Sequence, residues 1–227
     1  MTGSWKLGKI AGIDVFVHAT FFILVAWVAL SAYLPRGSAS AAANGVASIL
    51  TVFGVVVLHE LGHDLAARRF GIATREITLL PIGGISRLER MPEDPRQELQ
   101  VALAGPAVNV ALAAAAYAAL LVFGSGGIDH LSVTEGSFLT RLLSINLSLA
   151  LFNLLPAFPM DGGRVFRALL ALRMDRAKAT EVAARTGQAM AVLFGVVGIF
   201  FSPMLVLIAL FVWMGAAQEA RVDPRAA

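Results

Sequence analysis

Two histidines and a glutamate lie close together in one apolar stretch, residues 55–70. Their order is His59, Glu60 and His63. In a helix, side chains four residues apart stand one turn apart on the same face, so both imidazoles can bind one metal ion. Neutral imidazoles suit Zn²⁺, and a carboxylate between them can accept a proton from an attacking water, which is the logic of the H-E-x-x-H pattern. The stretch therefore predicts a zinc site with Glu60 as general base.

The surroundings of this motif distinguish it from a chance pair of histidines. Residues 49–58 are almost wholly apolar and the stretch ends in Arg68 and Arg69, which is typical of a helix buried in lipid. Ionisable groups are costly there and usually functional. A histidine pair alone arises by chance on many helices, and a lone buried histidine is more often structural. The intervening glutamate makes that structural alternative much less favourable, but the motif still lacks a third ligand.

The composition is that of an integral membrane protein. Of the 227 residues, 58% are hydrophobic and only 15% are charged, too apolar a balance for a soluble domain of this length. The net charge is +3, but the basic residues are spread between apolar spans, so we expect no nucleic acid partner. The chain has no cysteines, which excludes thiolate ligands and leaves His, Asp and Glu for a metal site.

Six apolar stretches are long enough, or nearly so, to span a bilayer as helices. They are about residues 15–34, 45–70, 95–123, 137–155, 177–201 and 203–218. Ser202 and Pro203 divide the last two, although one kinked, tilted helix is an alternative there. Between the second and third spans, residues 74–90 contain β-branched runs around glycines, which predicts a β-hairpin. The predicted fold class is an all-α polytopic membrane protein of about six transmembrane helices, with this hairpin between the second and third.

The basic residues predict the orientation in the membrane. Of the 18 lysines and arginines, only Arg36 and Arg141 lie on the far side if the spans alternate. By the positive-inside rule both termini are then cytoplasmic, which favours an even number of spans. His63 is expected about 7–8 Å inside the cytoplasmic end of its helix. We therefore expect a multi-pass protein of the cell membrane, with one domain in residues 1–220 and a cytoplasmic tail in residues 221–227.

Asp161 is the candidate for the third ligand. It lies in residues 158–163, where the fourth span returns to the cytoplasmic side at about the depth expected for His63. Pro159 and the two glycines after Asp161 would interrupt a helix there and let the carboxylate project inward. Irregular backbone at this depth is tolerated only within protein or beside a watery cavity. The alternative is that Asp-Gly-Gly forms a simple loop turn.

Three motifs together are similar to those of the site-2 protease family of intramembrane zinc metalloproteases. They are HELGH at 59–63, AGPAVN at 104–109 and FNLLPAFPMDGGR at 152–164. The resemblance extends from the first span to about residue 167. It implies that His59, His63 and Asp161 bind one zinc ion per chain. It also implies that Glu60 is the catalytic base of a zinc metalloendopeptidase. Met160 stands where the family usually has leucine, a substitution of similar volume.

The substrate of such an enzyme must expose its backbone before cleavage. An unwound transmembrane helix leaves backbone groups that need partners in lipid. By resemblance, the hairpin is re-entrant, and its edge, with Gly83 and Gly84, is expected to pair with the extended substrate. Asn109, Asn146 and Asn153 are further candidates for binding substrate backbone or the developing oxyanion, Asn153 being the best of them. Helix–helix hydrogen bonding is the alternative for each asparagine.

The resemblance implies regulated intramembrane proteolysis, near the cytoplasmic side, of a single-span protein such as an anti-sigma or pro-sigma factor. Two other functions use the same residue types. Intramembrane His, Asp and Glu also mark the pathway of a metal transporter, although a transporter usually spreads such residues over several depths. An inactive scaffold that binds membrane helices would suit a chain that lacks a catalytic residue, and none is missing. Some similar proteins continue into a cytoplasmic nucleotide-binding domain, which we do not expect within these residues.

Overall fold

The structure, a computed structural model, describes residues 3–35, 37–81, 83–90, 92–123, 131–133 and 136–221. In chain order the elements are β1 (Ser4–Ile10), β2 (Ile13–His18), α1 (Ala19–Tyr33), α2 (Ala39–Arg68), β3 (Thr74–Leu80), β4 (Gly83–Leu88), α3 (Pro95–Phe123), α4 (Phe138–Asn153), α5 (Asp161–Ala171), α6 (Arg176–Phe201) and α7 (Pro203–Arg221). They divide into two compact units. The first comprises Met1–Met91 and Ala107–Leu149, and the second Pro92–Pro106 and Ala150–Ala227.

The first unit contains a four-stranded sheet in the order β1-β2-β3-β4. β1 and β2 form an antiparallel hairpin around Ala11 and Gly12, whose φ angles are 51° and 83°. Positive φ at both central residues matches the twist of a two-residue hairpin. β2 then pairs in parallel with β3, and β3 pairs antiparallel with β4. The parallel pair requires a long crossover, and α1 and α2 provide it.

The sheet packs against α2 through apolar side chains that alternate along its strands. Ile13 and Val17 of β2 are buried because every second residue of a strand faces the same side. They join a core that α2 completes with Phe53, Val57 and Leu61. This core fixes the helix that carries the two histidines against the sheet.

Four helices among the described residues are long and apolar enough to cross a membrane, namely α2, α3, α6 and α7. α1 and α4 are also apolar but have only 15 and 16 residues, whereas a helix of about 20 residues spans the hydrocarbon core. The chain is therefore a membrane protein, and six spans remain a prediction. The expected division at Ser202 is present, because α6 ends at Phe201 and α7 begins at Pro203.

The predicted all-α fold class is wrong in one respect, because the chain has a sheet of four strands. The hairpin between α2 and α3 exists as β3 and β4, but β1 and β2 extend it. The predicted first span includes residues 15–18, which instead end β2, so α1 begins at Ala19 with His18 as its N-cap. α2 begins at Ala39 rather than near residue 45, because Ser38 caps it. The re-entrant placement of the hairpin remains a prediction.

The predicted tail lies outside the described residues except for Arg221, which ends α7. α3, α4, α6 and α7 have bounds close to those expected, α3 beginning at Pro95 and ending at Phe123, whereas α5 was not predicted as a helix. Asp94 accepts a hydrogen bond from the backbone N–H of Arg96 at 2.8 Å, which satisfies a free donor of the first turn of α3.

In the second unit, α6 and α7 pack around the segment that connects α4 to α5. Ala157 and Met160 of this segment form a buried cluster with Ala191 of α6 and Val212 of α7. A Cβ atom on Gly215 of α7 would lie 2.5 Å from Cδ of the segment's proline at position 159. This close contact holds the chain immediately before α5.

Buried ion pairs join four helices of the second unit. Glu98 of α3, which is 1% exposed, pairs with Arg167 of α5 at 2.5 Å and with Arg176 of α6 at 3.3 Å. Arg167 also pairs with Glu219 of α7. A charge can be buried in this way only when it has a partner. The cluster therefore ties α5 to α3 and α7.

Candidate metal centre

The two histidines of α2 face each other within the first unit. His59 and His63 are 5% and 6% exposed, and their Nε2 atoms lie 3.1 Å apart. Two nitrogens that bind one tetrahedral zinc ion at about 2.0–2.1 Å lie about 3.3–3.4 Å from each other. The separation of the imidazoles thus fits a shared zinc ion. Glu60, the next residue in the helix after His59, is half-buried.

A chain of hydrogen bonds fixes the ring of His59. Its Nδ1 lies 2.5 Å from Oδ1 of Asn109 on α3. An amide oxygen only accepts, so Nδ1 carries the proton and the lone pair of Nε2 is left for a metal. Asn109 donates through Nδ2 to Oδ1 of Asn146 on α4 at 3.0 Å, and Asn146 donates to the carbonyl of Leu142 at 2.8 Å. Both asparagines are fully buried, which holds their amides in one orientation.

The contact between Asn109 and Asn146 is the helix–helix hydrogen bond that the sequence offered as an alternative. Binding of substrate by these two amides remains a prediction. Sequence reasoning did not connect Asn109 with His59, because the two residues are 50 positions apart in the chain. Only the packing of α3 against α2 brings the amide to the ring.

Strand β4 lies directly against the predicted base. A Cβ atom on Gly84 would lie 3.0 Å from Cγ of Glu60 and 3.0 Å from Cγ1 of Val56, so a larger residue would require these side chains to shift by a few tenths of an ångström. Gly83 begins the strand with a φ of 135°, which favours glycine. β4 is the last strand of the sheet, and its second edge pairs with no other strand of the described chain.

Asp161 and Asn153 belong to the second unit. Asp161 is the first residue of α5 and is 8% exposed. The expectation that Gly162 and Gly163 interrupt a helix is wrong, because both lie in the first turn of α5. A Cβ atom on Gly162 would lie 2.3 Å from the carbonyl oxygen of Leu155, so only glycine lets α5 start this close to the preceding segment. Asn153 is the last residue of α4.

These features define a membrane protein with a candidate metal centre on a helix of membrane-spanning length. The model of peptidase family M50 matches residues 47–134 and 129–194, more than half of the chain. The chain belongs to peptidase family M50.

Several known proteins are similar to this chain. Zinc metalloprotease MJ0392 of Methanocaldococcus jannaschii is 37% identical over 98% of this chain and 62% of its own length. Putative zinc metalloprotease sll0528 of Synechocystis is 34% identical, over 97% of this chain and 61% of its own length. Stage IV sporulation protein FB of Bacillus subtilis is 28% identical over 69% of this chain and 52% of its own length. The chain thus spans about three fifths of the first two relatives.

A solved structure agrees with these sequence matches. It is the site-2 protease from Methanocaldococcus jannaschii, with a TM-score of 0.67, 37% identity and coverage of 96% of both chains. The resemblance to the site-2 protease family is therefore confirmed. Zinc is the metal named in the first two relatives, and it is the metal that the spacing of His59 and His63 fits.

Proposed function

We propose that the protein is a zinc-dependent endopeptidase that cleaves a transmembrane segment of another membrane protein. The observation that carries this proposal is the pair of buried imidazoles with Nε2 atoms 3.1 Å apart, together with the carboxylate of Glu60 on the same helix. A Lewis acid and a proton-accepting carboxylate are what hydrolysis of a peptide bond needs. Membership of peptidase family M50 supports the same reaction.

The proposed zinc ligands are His59, His63 and Asp161, with one ion per chain. Three nitrogen and oxygen ligands leave a fourth position open, as catalytic zinc sites require. Asp161 is supported by its buried carboxylate and by its place in the DGG motif of the site-2 protease family. When bound, zinc supplies a Lewis acid that polarises a carbonyl and brings the pKa of a water molecule toward neutrality.

Glu60 is the proposed catalytic base. Its carboxylate accepts the proton of the attacking water and later gives it to the leaving amide nitrogen. The close approach of Gly84 limits the space open to the methylene groups of Glu60. This packing restricts the conformations open to the side chain, which lowers the conformational entropy lost when the base is held in a reactive geometry.

The second edge of β4 is the proposed binding site for the unwound substrate. An extended peptide added there would satisfy its backbone groups by β-augmentation. Gly83 and Gly84 lie on this strand, and Gly84 is adjacent to the base. Among the asparagines, Asn153 remains the candidate for a contact with substrate backbone. Asn109 and Asn146 are proposed as positioning residues for His59, because their amides form the chain of hydrogen bonds, and their contact with substrate stays a prediction.

The proposed partner is a single-span protein in the same bilayer. Membrane-tethered transcription regulators of the anti-sigma or pro-sigma type are the class that the family resemblance suggests. Both termini are proposed to be cytoplasmic, since the basic residues concentrate on one side of alternating spans. Cleavage is then expected near the cytoplasmic leaflet, where His63 is predicted to lie.

The metal content of detergent-purified protein tests the proposed site. We expect about one zinc ion per chain in the wild type, lost in His59→Ala and strongly reduced in Asp161→Ala, because each variant removes one of three ligands. A folded wild type that takes up no zinc after supplementation contradicts the proposal. That result would favour the scaffold that binds membrane helices.

Glu60→Gln separates the enzyme from the metal transporter. The glutamine variant keeps the size of the side chain but cannot accept a proton, so cleavage of a single-span protein is expected to fall about 10²–10⁴-fold with zinc still bound. Cleavage is followed on gels of reconstituted vesicles, and metal uptake is measured in the same vesicles. Undiminished cleavage in Glu60→Gln, or metal uptake that this change alters, would contradict the proposal.

A further inference from the structure

One buried carboxylate near the proposed site has no part in the mechanism above. Asp64 is 0% exposed and lies one helical turn after Glu60, so both side chains are on the same side of α2. Burying a carboxylate is costly unless it is hydrogen-bonded. Its partner therefore indicates what the acid does.

A hydrogen-bond partner of Asp64 lies on strand β4. The hydroxyl of Ser86 donates to Oδ1 of Asp64 over 2.6 Å. Ser86 is two residues after Gly84, and side chains two apart in a strand point to the same side. Gly84 lies against Glu60 and Ser86 bonds to Asp64, so one face of β4 meets one face of α2 at two successive points.

The two contacts are separated by almost the same distance along β4 as along α2. Two residues of a strand advance about 6.6 Å and four residues of a helix about 6.0 Å. β4 therefore runs in the same direction as α2 here, so that Gly84 lies opposite Glu60 and Ser86 lies opposite Asp64. Gly84 supplies no side chain, so it allows close approach but does not hold the strand. The backbone ladder to β3 holds β4 in the sheet, and the hydrogen bond at Ser86 adds a directional side-chain contact to α2.

We propose that Asp64 and Ser86 form a positioning pair that sets where β4 stands along α2, and with it which peptide bond of an extended substrate is presented to Glu60. The inference rests on the proposed function, in which the substrate pairs with the free edge of β4. A strand shifted by one residue turns every side chain to the other face. The pair thus contributes to the choice of the cleaved bond.

The test uses zinc-loaded full-length protein and a fusion protein with one apolar span of about 20 residues, interrupted by an Asn-Pro pair near its cytoplasmic end to ease unwinding. Cleavage positions are determined by mass spectrometry, and KM and kcat are measured separately. We expect Ser86→Ala to retain its zinc, to cut at several neighbouring bonds and to lower kcat/KM about tenfold, mainly through KM, as loss of one buried hydrogen bond predicts.

Three further variants make the result specific to the pair. Asp64→Asn keeps an oxygen that accepts from Ser86 and is expected to retain the single cleavage position of the wild type, whereas Asp64→Leu is expected to behave like Ser86→Ala. The double variant of Asp64→Leu with Ser86→Ala is expected to be no worse than Asp64→Leu alone. Thr51→Val is the control, because the Thr51 hydroxyl bonds only within its own helix, to the carbonyl of Ala47 at 2.8 Å.

The outcomes distinguish this inference from the proposed function. If the wild type cuts the fusion protein and Ser86→Ala cuts the same bond with the same KM, the positioning pair is refuted and the peptidase stands. Fully additive effects of Asp64→Leu and Ser86→Ala also refute it. If the zinc-loaded wild type cuts no more than Glu60→Gln, the proposed function itself fails.

Discussion

At the level of single residues, the centre depends on groups that fix one histidine in one state. His59 donates from Nδ1 to Asn109, so its Nε2 is available as a ligand without a change of tautomer. Asn109 is itself held by Asn146. Partners of this kind orient a metal-binding imidazole and increase its basicity. In the proposed site, the asparagines would therefore act on the metal through the histidine.

Removing the amide of Asn109 is expected to weaken zinc binding. We expect Asn109→Ala to raise the zinc dissociation constant about 10–100-fold, because His59 loses the acceptor that sets its tautomer and direction. Competition with a chromogenic chelator in detergent gives the affinity. Ser144→Ala is the matched control, since Ser144 is buried on α4 and, within the described part of the chain, donates to the carbonyl of Thr140 of its own helix. Equal affinities of Asn109→Ala and the wild type would contradict this role.

At the level of elements, the start of α5 depends on a very close approach of backbone to backbone. The two glycines after Asp161 lie where any Cβ would overlap the backbone of residues 154–158, the segment between α4 and α5. Because Asp161 is the first residue of this helix, displacement of α5 also displaces its carboxylate. The first turn of α5 therefore couples packing to the proposed ligand.

Gly162→Ala is expected to lower both the melting temperature and the zinc content, since its Cβ would lie 2.3 Å from the carbonyl oxygen of Leu155. Gly195→Ala in α6 is the control, because the nearest atom to its Cβ is Cβ of Ala209 at 3.7 Å, an ordinary contact. Thermal unfolding and metal analysis of both variants measure the difference. A Gly162→Ala protein as stable and as rich in zinc as Gly195→Ala would show that α5 can move aside without consequence.

Sequence reasoning succeeded where the signal was local and failed where it depended on packing. The spacing of His59 and His63 follows from helix geometry alone, so the facing imidazoles were predictable. The apolar residues of β2 adjoin those of α1, and a short apolar run beside a helix gives no clear period. The glycine at position 12, which permits a turn, and the alternation of Val15 and Val17 were the available sequence signals for that strand. The glycines of α5 suggested a break, because their close contacts are invisible in the sequence.

At the level of the whole molecule, the second unit depends on its buried charges. Arg167→Met is expected to destabilise the protein by about 3–5 kcal/mol, because it leaves Glu98 buried with a weaker pairing to Arg176 alone. Arg185→Met is the control, since its pair with Glu181 is exposed on both sides and such pairs contribute about 0–1 kcal/mol. Chemical unfolding in detergent measures both. Equal losses of stability in the two variants would rule out a special contribution from the buried cluster.

The absence of cysteines allows a direct test of the predicted orientation. Single cysteines are introduced at Ser40, which is expected on the outer side, and at Lys178, which is expected on the cytoplasmic side; both are exposed in the structure. An impermeant maleimide is expected to label Ser40→Cys in intact cells and Lys178→Cys only after permeabilisation. The reverse pattern would show that the topology is the opposite of the predicted one. Labelling of both cysteines from outside would contradict the predicted alternation of six spans.

The parallel pairing of β2 with β3 has a consequence for how the newly made chain assembles. β2 leaves the ribosome before α1 and α2, whereas the strand that completes its second edge follows both helices. Throughout that interval the β1–β2 hairpin has an open edge while α2, a helix of membrane-spanning length, is already available for insertion. Closure of the sheet therefore follows synthesis of α2. Until residues 74–80 emerge, an already formed β1–β2 hairpin exposes an edge that could pair with other nascent chains.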